Sequence, residues 1–125
     1  MSDLTAVQLY KLMQPLLKRE PELKLHHTFV YERPSWYLYG VVIGTLNATQ
    51  LCESSMVRWL VDNLGHHLEI ARVSDNREVM FYQVTWGFSR ERGTYFAESG
   101  STLIQALAAA CTAVLDAKQS EVKRD

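Results

Sequence analysis

Between His67 and Glu98 three β-rich stretches follow one another with only short polar links, and this run restricts the fold more than any other feature. The stretches are 67–73, Glu78 to Phe88 and Thr94 to Glu98, separated by Asp75-Asn76 and by Ser89-Arg90-Glu91-Arg92-Gly93. Links this short cannot carry the chain over to a parallel neighbour, so the three strands form an antiparallel meander. On the middle strand Met80, Tyr82, Val84, Trp86 and Phe88 share one face, and Val79, Phe81, Gln83, Thr85 and Gly87 share the other. The first set is read as the core face.

A helix must then cover that face. After the last strand Leu103, Ile104, Leu107, Ala108, Cys111, Val114 and Leu115 recur as a continuous apolar stripe, and the interspersed alanines favour helix and close approach to a sheet. Ser99 or Ser101 is the expected cap. At the amino end Leu4, Val7, Leu9, Leu12, Met13, Leu16 and Leu17 mark a first helix over 2–20, with Ser2 or Asp3 as cap and Pro15 as a kink or restart. Residues 23–31 and 35–44 read as a hairpin around Glu32-Arg33-Pro34. Asn47 with Gln50 opens a second helix that Gly65 stops.

With no repeat and no linker, the expectation is one α+β domain over 1–117, an antiparallel sheet packed against helices in the order α-β-β-α-β-β-β-α. Residues 118–125 are expected as a frayed polar tail. A chain of 125 residues buries enough surface for one core, and 47% apolar with 22% charged residues is an ordinary globular balance. A net charge of −1 gives no long-range positive field, which disfavours nucleic acid as a partner. The longest apolar run, Ala106 to Cys111, is far below the ~20 residues of a membrane span. No charged n-region with an apolar h-region opens the chain, so a cytoplasmic protein is expected.

The polar residues do not gather into a chemical motif. His26-His27 and His66-His67 offer adjacent side chains that point apart on a strand, and Cys52 and Cys111 belong to no metal-ligand spacing, so no metal and no cofactor are expected. Both cysteines fall on apolar stripes and read as buried thiols. Ser99-Gly100-Ser101 lacks the glycine pattern of a nucleophile elbow, and helix capping accounts for its serines. The reading is therefore not an enzyme. Aromatic residues concentrate instead around the first hairpin, where Tyr31, Arg33, Trp36, Tyr37 and Tyr39 have the composition of an interface hot spot and are expected to bind a partner. Arg90, Arg92, Ser99 and Gly100 form the second candidate, an anion or nucleic-acid contact.

From His67 to Lys118 the pieces Val84-Thr85-Trp86 and Ala106-Leu107-Ala108-Ala109-Ala110-Cys111 resemble small phage-encoded proteins of the ABA-sandwich type. The resemblance covers less than half of the chain. It implies a phage or mobile-element accessory protein in the host cytoplasm, a class that includes anti-CRISPR-like inhibitors of host defence complexes. The expected partner of the binding module is a host or phage protein complex, with a homodimer as an option. The order of the second helix, three strands and last helix is also similar to the double-stranded-RNA-binding domain. That domain sets lysines at the start of its last helix, and Ser101 to Gln105 has none, so nucleic-acid binding stays the alternative.

Overall fold

A computed structural model describes residues 5–20, 23, 27–30, 35–38, 41–64, 68–74, 77, 80–89 and 93–124, with the backbone alone described for the strands of the first sheet. The elements are α1 (Ala6–Arg19), β1 (His27–Val30), β2 (Ser35–Leu38), β3 (Val41–Ile43), α2 (Thr45–Leu64), β4 (Leu68–Ser74), β5 (Met80–Ser89), β6 (Thr94–Gly100) and α3 (Leu103–Arg124). The α+β class stands, with one strand more than the sequence pattern implied. Contacts group the chain into two compact units, Met1–Ser55 and Met56–Asp125, and the boundary falls inside α2.

In the first unit α1 starts at a capping box in which Thr5 accepts from the amide of Gln8 and the Gln8 side chain accepts from the amide of Thr5. Thr5, and not Ser2 or Asp3, is thus the cap. The helix runs through Pro15 without a restart. Pro15 is exposed, so the carbonyl its ring displaces can bond to water. Leu9, Met13 and Leu16 lie on one buried stripe at helical spacing, and Leu23 beyond the helix end is buried as well. The first half of α2 buries Ala48, Cys52 and Ser55. Its start is at Thr45, with the Gly44 carbonyl accepting from Ala48, so Asn47 lies inside the first turn and is not the cap.

The first sheet has the order β1-β2-β3, antiparallel throughout. Residues 35–44 are therefore two strands where the sequence reading has one. Leu38 pairs with Val41, so the stretch read as one strand divides between them, and Tyr39 and Gly40 lie outside the described residues.

In the second unit β4, β5 and β6 form the expected meander in the order β4-β5-β6. Gly87 has φ 56°, which only glycine adopts without strain, and it supplies the extra residue of a bulge between Trp86 and Phe88. Gly93 ends the β5–β6 link at φ 67°. Only Ser101 and Thr102 separate β6 from α3. The helix therefore folds back on the strand it follows, packing against β6 and β5 and burying Ile104, Leu107, Cys111, Val114 and Leu115 with Val84 and Trp86. A second capping box closes its start, because Thr102 Oγ1 accepts from the Gln105 amide (3.3 Å) and Gln105 Oε1 accepts from the Thr102 amide (3.2 Å). Thr102 is the cap in place of Ser99 or Ser101. Helical backbone continues to Arg124, past Lys118 where the sequence reading had placed the start of a frayed tail; the segment Lys-Gln-Ser-Glu-Val-Lys-Arg holds no glycine or proline to end the helix.

Candidate contact surface

Strand pairing fixes which side chains share a face. Ile70 lies opposite Val84, Arg72 opposite Tyr82 and Ser74 opposite Met80, so these residues belong with Trp86 to the face on which α3 packs. The helix packs chiefly on β6 and β5. Val84 under it is fully buried, whereas Ile70 and Met80 remain 40% and 41% exposed and Arg72 is exposed between them. Sequence patterning had put Met80 in the core with Val84; the face is shared, but cover is not, because a single helix about 10 Å wide spans roughly two strands at ~4.8 Å spacing.

Ile70, Arg72, half-buried Tyr82 and Met80 thus form a strip about 13 Å long on two adjacent strands, from the ~3.3 Å rise per residue. Isolated exposed apolar residues are ordinary surface, but a strip of Ile, Met and Tyr around an arginine has the make-up of an interface centre. Methionine adds an adaptable side chain that moulds to a partner. The hint was present in the sequence: Arg72 shares a face with Ile70, and a charge there marks that end of the face as open.

At the other side of the same face Phe96 lies opposite Trp86, with ring centroids 6.0 Å apart and planes inclined by 15°. Phe96 is 37% exposed, and Tyr95 beside it, on the opposite face, is 54% exposed. Toward the end of α2, Lys118 Nζ stands 5.4 Å from the Trp59 ring centroid and donates to Asn63 Oδ1, while Asn63 Nδ2 donates to the Trp59 carbonyl (2.8 Å). This clasp ties the end of α2 to α3.

The residues expected to bind a partner fall on the first sheet or outside the described residues. Tyr31, Arg33 and Tyr39 lie outside the described residues, and Trp36 and Tyr37 occupy the central strand β2, paired with Phe29 and Ile43 and with Thr28 and Val42. Arg90 and Arg92 lie outside the described residues too. Ser99 is exposed on β6, and Gly100 is not in a turn but in β6, opposite Tyr82. All four histidine side chains are likewise outside the description.

Three of the described groups able to do chemistry, Cys52, Cys111 and Ser101, serve packing and capping. Cys52 and Cys111 form no disulfide and are fully buried. Burial pushes both up to about 12, with the neighbouring Glu53 carboxylate adding to the effect at Cys52, so both are protonated at neutral pH. The Ser101 hydroxyl donates to Gln105 Oε1 (2.6 Å) within the α3 cap. Among the described residues no three His, Cys, Asp or Glu side chains are placed to hold a metal, and no helix is long and apolar enough to cross a membrane. No family model, no curated protein and no solved structure matches the chain.

Proposed function

We propose that the chain is a non-catalytic protein-binding module of the cytoplasm, acting by contact area rather than by chemistry. The observation that carries this reading is the open strip of Ile70, Arg72 and Met80 on a face whose other half is sealed by α3. The protonated, buried thiols and the serine engaged in a helix cap support it, since among the described residues these three potential nucleophiles are used for packing and capping. We extend the proposal, on the resemblance read from Val84-Thr85-Trp86 and the run Ala106 to Cys111, to a phage or mobile-element accessory factor with a protein complex of host defence as the partner class.

Placing carboxylates in the strip tests the reading, because a buried unpaired charge opposes association strongly. Tagged protein and the double variant Ile70→Asp, Met80→Asp are compared in capture from bacterial lysate and then with the identified partner. The expected result is one partner held by the parent protein and bound at least about tenfold more weakly by the variant, with an unchanged circular-dichroism spectrum. Equal binding by both proteins would remove the strip from the proposal. A gel shift with DNA or RNA that weakens steeply with salt would replace it by phosphate contact through Arg90 and Arg92.

A further inference from the structure

We infer that β6 is a pairing edge for a second copy of the chain, so that two three-stranded sheets join across a two-fold axis into one sheet of six strands. The inference concerns a different surface from the strip on β4 and β5 and does not depend on it.

An outer strand leaves one row of backbone N–H and C=O groups without a ladder partner, and proteins protect such rows with lysine, proline, bulges or short length. Both β4 and β6 are outer strands of the second sheet. The strand β4 carries Glu69 and Arg72, both exposed. By contrast β6 spans seven residues, Thr-Tyr-Phe-Ala-Glu-Ser-Gly, with a single charge at Glu98 and neither lysine nor proline. The bulge at Gly87 belongs to β5 and leaves β6 regular. Tyr95, Phe96, Ala97 and Ser99 are exposed on it, two of them aromatic, and aromatic residues are among the strongest cross-strand pairing partners.

Antiparallel self-pairing keeps each residue opposite one on its own face. With the axis at Ala97, Phe96 meets Glu98 of the second copy and Tyr95 meets Ser99. With the axis at Phe96, the two phenylalanines meet and Tyr95 meets Ala97. Neither register sets Glu98 against its own copy, so no like charges oppose. A two-fold pairing of β6 with β6 also closes, whereas β6 on β4 would leave free edges and grow into a filament.

The exposed parts of Tyr95 and Phe96 amount to about 180 Å² per copy, taking roughly 200 Å² for a whole aromatic side chain. A standard interface buries about 800 Å² per partner, so the dimer is weak and reversible, with a dissociation constant in the micromolar to millimolar range.

Sedimentation equilibrium of the intact chain from about 10 µM to about 1 mM tests this directly. The expected mass rises from 14.3 kDa toward that of a dimer. Hydrogen exchange at the amides of β6 slows as concentration increases, while exchange in β4 does not change. Ala97→Lys, which places a charge on the edge, weakens association at least about tenfold, and Ala97→Thr preserves it. If Ala97→Lys fails to fold, Tyr95→Lys at the more exposed neighbouring position decides the matter by the same measure. A monomer at every concentration, a series of growing oligomers, protection confined to β4, or a dimer indifferent to the lysine would each overturn the inference. The Ile70→Asp, Met80→Asp variant retains the dimer, so failure of the protein-binding proposal and failure of this one are separable.

Discussion

Replacing Gly100 by alanine tests how β6 and α3 fit together. A Cβ at this position would stand 2.6 Å from the amide nitrogen of Ala106 and 2.9 Å from both the carbonyl carbon and Cβ of Gln105. The first distance is about 1 Å inside the roughly 3.5 Å at which non-bonded heavy atoms pack well. The atoms it meets include the backbone of the first turn of α3, which cannot swing aside as a side-chain tip would. Gly100 lies in β6 and is not in the left-handed region, so alanine is allowed there conformationally and the cost is one of space alone. Overpacking of this kind costs about 1–3 kcal/mol, and loss of glycine freedom in the unfolded chain returns about 0.4–1 kcal/mol. The net expectation is a loss of about 1–2 kcal/mol, which for a chain of this size lowers the melting midpoint by roughly 4–10 °C. Urea denaturation and calorimetry measure it, with exposed Ser99→Ala next door as a control expected within about 0.5 kcal/mol of the parent protein. A Gly100→Ala protein as stable as the parent would refute the reasoning, because it would mean that strand and helix can separate without loss.

Thr102→Ala removes the side-chain acceptor of the α3 capping box and should cost about 1 kcal/mol by urea denaturation, while Thr102→Ser should cost much less. Cys52 and Cys111 should resist a thiol-titrating reagent near neutral pH in the native protein and both react after denaturation. Their titration also shapes alkaline stability. The unfolded chain loses each thiol proton near the ordinary value of 9.0, and the native state holds it to about 12, so stabilisation is complete below pH 9 and falls through that window. The slope is about 1.4 kcal/mol per pH unit per thiol, and a Cys111→Ala variant, whatever its starting stability, should show a shallower decline.

The parts of the fold legible in the sequence were those set by short-range periodicity. The stripe Ile104, Leu107, Cys111, Val114, Leu115 is buried as its spacing requires, and the meander follows from links too short to do anything else. Caps were missed by a few residues because serine, threonine and aspartate cluster near both helix starts. At these two starts the cap has a reciprocal glutamine three residues on, Thr5 with Gln8 and Thr102 with Gln105, although the same spacing at Asn47 and Gln50 lies inside α2 and caps nothing. Continuous β-propensity from Ser35 to Gly44 hid the division between Leu38 and Val41, since a lone glycine marks a bend and a turn alike. The contact strip was the least legible. Met80 and Val84 have the same periodicity, and only the width and placement of α3 make one of them surface and the other core.

The two-residue step from β6 to α3 has a kinetic corollary. In the second unit the main neighbours in space are neighbours along the chain: β4 with β5 across 75–79, β5 with β6 across 90–93, and β6 with α3 across 101–102. Each closure spans a short loop, hairpins of this kind form in about 1–10 µs, and low contact order goes with rapid assembly. The carboxy-terminal 58 residues, Leu68 to Asp125, can therefore zip up in sequence order, each element templating the next.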